Sequence, residues 1–285
     1  MRKKKEVIRD AFTEADLPHT RPQVFLTVYK TRAFFIFKIS LLLLLFCSPL
    51  LLWDIFMRLS IDNNLSTSTL SDYDLMKETF NLTLIKNGVG IILFGIAGIG
   101  FGGAIHAFQA LVWNQLVVAS DFFSGMKKNI FKYILWGILA GISFFLFEFA
   151  IRGVPLTDLE TFGRIIVYGL SSVQLALISI FIAYLYLQNE YYFVNGFNLL
   201  TNGIKFTIVS FIPMIGFMLI IIAPYFLVYL HSFIINFVAI FLFMFLVSTG
   251  LISIILHADY QFDKRINKDN YPEIYDRGVY RQNEN

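Results

Sequence analysis

The chain predicts an all-α fold, a polytopic membrane helix bundle with six transmembrane helices and one interfacial amphipathic helix. Three observations carry this. Six long apolar segments follow one another with short polar connections between them. Of all residues 57% are hydrophobic and 15% charged, against about 25% charged in a soluble domain. The charge that remains is confined to the ends and the connections, and the mean hydropathy is +0.66.

A helix needs about 20 mostly apolar residues to cross a hydrocarbon core of about 30 Å. The segments that meet this are Ala33–Trp53, Gly88–Val112, Ile134–Ile151, Ile165–Leu187, Phe206–Leu230 and Phe233–Leu256. Only Leu230-His231-Ser232 separates the last two. With 285 residues and no long polar stretch, no separate soluble domain is expected. The chain divides into a basic N-terminal arm (1–32), a membrane domain (33–257) and a polar C-terminal tail (258–285). No small-x-small cleavage pattern follows the first segment, so it is expected to remain as a span. The lone Cys47 excludes an internal disulfide and a cysteine metal cluster.

Lysine and arginine accumulate in cytoplasmic loops. Placing the N-terminus inside puts eighteen of the 23 basic residues on the inner side and five outside. The expectation is a multi-pass cell-membrane protein with both termini cytoplasmic. The arm begins with Lys3-Lys4-Lys5, a charge run suited to anionic head groups. The longest connection, 54–86, carries a Ser-, Thr-, Asn- and Asp-rich middle and predicts a solvated outer loop. It includes Asn64-Leu65-Ser66, one of two short glycosylation-type patterns.

The stretch Ser120–Lys132 predicts a helix lying on the inner membrane surface, with Ser120 as its cap. Phe122, Phe123 and Met126 recur at helical spacing, and Lys128 and Lys132 fall on another face. Phe122, Phe123, Lys127, Lys128 and Lys132 are therefore the expected membrane-surface contacts, with the lipid bilayer as partner. A faint echo, Phe-x-x-Gly, recurs at Phe193–Gly196.

Polar groups inside spans are candidates for function or for helix-to-helix contact. Glu148 is acidic and lies within the third segment, with Arg152 at the favourable i+4 position. His106 and Gln109 share a face of the second segment. Gln174 and Asn236 complete the set of expected interspan or ligand contacts. The second segment also carries two small-xxx-small pairs, Gly98/Gly102 and Gly103/Ala107, a spacing that lets helix backbones approach closely. The string Gly98–Gly103 fits G-x-G-x-x-G, but that fingerprint requires a strand before it and a helix start after it, and here it lies inside a span.

The four histidines form no metal spacing, and no nucleophile elbow or phosphate-binding loop occurs. No catalytic residue, cofactor or nucleic-acid partner is expected. The reading is a non-enzymatic accessory or scaffold, with a small transporter or channel as the alternative.

Three stretches carry a family resemblance: Leu17–Pro49, Gly102–Tyr133 with its Asp121-Phe122-Phe123 and following lysines, and the tail Phe262–Tyr280. Together they resemble the YesL-like family, bacterial multi-span proteins with a domain of unknown function. The long first connection departs from that pattern. The resemblance implies an accessory role beside a membrane system such as carbohydrate uptake, with another membrane protein or a transporter complex as partner. It implies no catalytic residues.

Overall fold

The computed structural model describes residues 17–67, 71–192, 196–228 and 233–280, with the side chains of 64–67, 225–228 and 233–237 outside the described set. The Lys3-Lys4-Lys5 run, Phe193, His231 and the side chains of Asn64 and Asn236 therefore lie outside the described residues. Among the described residues all regular structure is helical. Five helices are long and apolar enough to cross a membrane, and a sixth candidate is a bent pair.

Helix α1 (Arg21–Thr67) starts well before the first apolar segment. Val24 and Val28 are buried there, so the end of the expected N-terminal arm is packed helix. Non-helical angles at Arg32 kink α1 before it enters the apolar stretch. Helix α2 (Asp72–Val112) begins where the Ser71 side chain accepts the Asp74 N–H, with Asp72 and Asp74 in its first turn. Both aspartates suit the positive end of the helix dipole.

The expected outer loop is thus corrected. Most of 54–86 continues α1 and α2 as a helical hairpin. No glycine or proline interrupts 50–87, so nothing ends either helix at the membrane boundary. At 47 residues, α1 is about 70 Å long.

Helix α3 (Ala119–Lys128) and α4 (Ile130–Gly153) follow, and α5 (Thr161–Tyr191) returns. The α2–α4 seam explains the glycines. A Cβ at Gly98 would sit 2.5 Å from the Tyr133 carbonyl and 3.0 Å from Gly137 Cα. One at Gly102 would enter the Tyr133 ring, and one at Gly137 would enter the Phe94 carbonyl. Gly103 instead faces α3, where a Cβ would lie 2.7 Å from the Phe122 carbonyl. The two small pairs therefore serve different neighbours, and α4 answers with Gly137 and Gly141.

The expected fifth span is corrected too. Phe206 belongs to α6 (Gly196–Val209), and α7 (Phe211–Val228) leaves it at 90°. Pro213 accounts for the break. It has no N–H to give to the Val209 carbonyl, and its ring crowds that carbonyl.

Helix α7 packs antiparallel on α8 (Phe233–Phe262): Phe217 lies beside His257, and Ile221 lies against Gly250. A π-helical turn (Asp263–Asn267) and the short α9 (Lys268–Asn270) extend α8.

Arg21 Nη2 lies 2.5 Å from Asp263 Oδ2, so α1 begins at the end of the bundle where α8 finishes. We call this the terminal end, and the opposite one the hairpin end. The two ends of the chain's helical part thus lie together, and the bent α6–α7 pair is the candidate sixth span.

Candidate functional site

The terminal end gathers polar side chains around the last residues of α5. The Glu190 side chain is fully buried there. Its Oε2 lies 2.9 Å from His106 Nδ1 of α2 and 3.2 Å from Lys128 Nζ of α3. Its Oε1 accepts the Tyr133 hydroxyl of α4. One carboxylate thus receives donors from three helices, which occupies most of its accepting capacity. Next to it, Lys132 Nζ donates to Asn189 Oδ1 at 2.7 Å.

The following two residues point elsewhere. The Tyr191 hydroxyl donates to Asp259 of α8, and Arg21 Nη1 reaches the same carboxylate at 3.3 Å. The Tyr192 hydroxyl donates to Asn267 Oδ1 at 2.5 Å, and Asn267 Nδ2 donates to Asp263 Oδ1 at 2.7 Å. Trp113, which caps α2, meets Tyr191 edge-on with ring centroids 5.1 Å apart.

The tail closes this face. The Arg277 guanidinium lies 4.5 Å from the Trp113 ring centre. Gly278 has φ +84 and lies so close that a Cβ would enter the Val112 carbonyl, a position that requires glycine on both counts. Tyr280 N–H donates to the Pro18 carbonyl at 2.7 Å.

The hairpin end holds a separate cluster. Lys86, only 5% exposed, bridges Asp54 at 3.3 Å and Glu148 at 3.8 Å. Arg58 holds Asp54 at 2.6 Å, and Arg152 reaches Glu148 at 4.0 Å. The Trp53 indole donates to the Lys86 carbonyl at 2.9 Å. Between the two ends, Gln174 Nε2 donates to Ser143 Oγ at 2.9 Å.

The residues singled out from the sequence are therefore dispersed. His106 stands at the terminal end, Glu148 and Arg152 at the hairpin end, and Gln174 between them. Gln109 is buried within α2.

The interfacial helix requires correction. Phe122 does not contact lipid: it is fully buried, with its ring 5.9 Å from that of Phe46. Its face is drawn inward because Gly103 leaves room for it. Helix α3 also stops at Lys128, since Asn129 has φ −142 and ψ 36. Val118, not Ser120, occupies the N-cap, and its N–H donates to Asp121 Oδ2 at 2.8 Å. Phe123, Lys127, Lys128 and Lys132 are all exposed, and Lys128 and Lys132 also bond Glu190 and Asn189.

Sequence reasoning missed Glu190, Lys86, Asp54, Arg21 and Asp259. The available signal for Glu190 was its place one turn past an apolar run rich in tyrosine, Tyr184 and Tyr186 above it and Tyr191 and Tyr192 below. No family model matches the chain, and neither a curated protein nor a solved structure matches it.

Proposed function

We propose that this multi-pass membrane protein works without catalysis, as an accessory or scaffold of a membrane system such as carbohydrate uptake. The observation that carries the reading is the dispersal of the polar groups. His106, Gln174 and Glu148 occupy three levels of the bundle, each with a partner on a neighbouring helix. A transporter site gathers such groups near mid-depth, usually where helices are broken. Here the bent pair found among the described residues, α6 and α7, breaks at Ser210, whose Oγ accepts from the Tyr184 hydroxyl at 2.6 Å. The resemblance to the YesL-like family supports the same role.

In this reading the terminal end faces the cytoplasm of a cell membrane. The basic asymmetry supports that orientation. The partner is another membrane protein or a transporter complex.

A small transporter is the second reading, favoured by one observation: the fully buried Glu190 lies beside His106 and Lys128. Reconstitution separates the two. The chain alone in sealed vesicles is expected to pass no solute, and the chain from native membranes is expected in a stoichiometric complex. Solute flux by the chain alone, abolished by Glu190→Gln, would instead establish transport.

A further inference from the structure

We propose that a hollow at the terminal end binds a phosphate-bearing group. The hollow has a volume of about 430 Å³ and lies between the start of α1, the π-turn and the folded-back tail. Lys264 and Lys268 line one wall, His19 and Thr20 another, and Tyr260 and Tyr275 flank them. This inference goes beyond the accessory reading and does not depend on it.

The charge of the lining favours an anion. Arg21, Asp263 and Asp276 also line the hollow; Arg21 and Asp263 neutralise each other at 2.5 Å. The second Asp263 oxygen accepts from Asn267. Among the described residues, neither Lys264 nor Lys268 has an ion pair. Two exposed ammonium groups four residues apart thus face the hollow, against the single carboxylate of Asp276, and leave the lining net positive. Lysine binds phosphate as a compact point charge.

The backbone supplies an independent sign. Lys264 lies within the π-helical turn, and Lys268 follows it directly. Such turns are rare and are frequent at functional sites. Here the turn is held from below, by Tyr192 on Asn267 and by Arg21 on Asp263. Its lysines are thereby fixed relative to α1 and α5. The tail that roofs the hollow turns at Asp276, with φ +53, and Gly278. It is tied to α1 by Tyr280 on Pro18 and by His19 Nδ1, 3.0 Å from the Tyr280 carbonyl.

The hollow has room for a phosphate carried on a larger polar group. That group is a soluble phosphorylated molecule or the head group of a phospholipid. The two sources share the same recognition chemistry.

Lysine acylation of the full chain in dodecyl maltoside micelles, which carry no phosphate, tests the site. One arm adds glycerol 3-phosphate, and the other adds phosphatidylglycerol to the micelles. Labelling of Lys264 and Lys268 is expected to fall severalfold in one arm, while exposed Lys127 stays unchanged. Protection by glycerol 3-phosphate assigns a soluble ligand, and protection only by phosphatidylglycerol assigns a lipid head group. The double variant Lys264→Gln, Lys268→Gln should keep the unfolding temperature of the parent and lose heat of binding to glycerol 3-phosphate, or lose its enrichment of phosphatidylglycerol. Unchanged labelling in both arms would overturn the proposal. So would equal protection of Lys127, which would mean only general screening of charge.

Discussion

His106 Nδ1 lies 2.9 Å from Glu190 Oε2, and this contact ties the cytoplasm-facing ends of α2 and α5 in the proposed orientation. The same carboxylate holds Lys128 and Tyr133, so its loss loosens four helices together. Glu190→Gln keeps the volume and one accepting oxygen but removes the charge. Hydrogen bonds to charged groups contribute roughly 1.5–3 kcal/mol each. The variant is expected to lose about 2 kcal/mol, read as a lowered unfolding temperature in detergent. A variant as stable as the parent would show that the hub does not hold the helices.

The hairpin end gives a contrast between two partners of one cluster. Lys86 is buried and serves both Asp54 and Glu148, whereas Glu148 meets its cations only at 3.8 and 4.0 Å. Removing one member of a buried pair costs about 3–5 kcal/mol. Lys86→Met is therefore expected to destabilise by about 3 kcal/mol, and Glu148→Gln by less, because Gln keeps an accepting oxygen and leaves Lys86 its Asp54 partner. Thermal unfolding of both variants checks the order, and a larger loss for Glu148→Gln would reverse it.

The glycine seam predicts a similar contrast. Gly137→Ala brings a Cβ onto the Phe94 carbonyl and within 2.9 Å of Gly95 Cα. Backbone cannot move aside as a flexible side chain does, so α2 and α4 must separate. Overpacking of this kind costs about 1–3 kcal/mol. Gly169→Ala meets nothing within 4 Å and is expected to be neutral, or more stable by up to about 1 kcal/mol through helix propensity. Helical stability in graded denaturant would distinguish the two, and equal effects would count against the seam.

Much of the fold was legible because lipid leaves few options for a long apolar run. The spans through α2, α4, α5 and α8 followed from length and hydropathy alone, and Gly98 and Gly102 announced close packing. What escaped has a physical reason in each case. The Ser- and Asn-rich middle of 54–86 looked like a loop, yet no breaker stands in it, and cross-helix pairing by Lys86 rewards continued helix. The break at Ser210 needed the geometry of Pro213, which many spans tolerate. Glu190 and Lys86 lie just outside the apolar windows, where sequence assigns polar residues to solvent. Their burial depends on helices far away in the chain, and no local pattern encodes that. The same holds for Phe122, whose helical spacing matched an interfacial helix while its pocket, opened by Gly103, lay in another segment.

The most direct measurement is the sidedness of two exposed positions in a Cys47→Ser background. Tyr73, 60% exposed, lies on the helical hairpin, and Asp269 lies in α9 at the terminal end. With six passes and a cytoplasmic terminal end, Tyr73→Cys reacts with an impermeant maleimide in intact cells, and Asp269→Cys reacts only after the membrane is opened. Labelling of Asp269→Cys in intact cells, with Tyr73→Cys protected, would contradict the account.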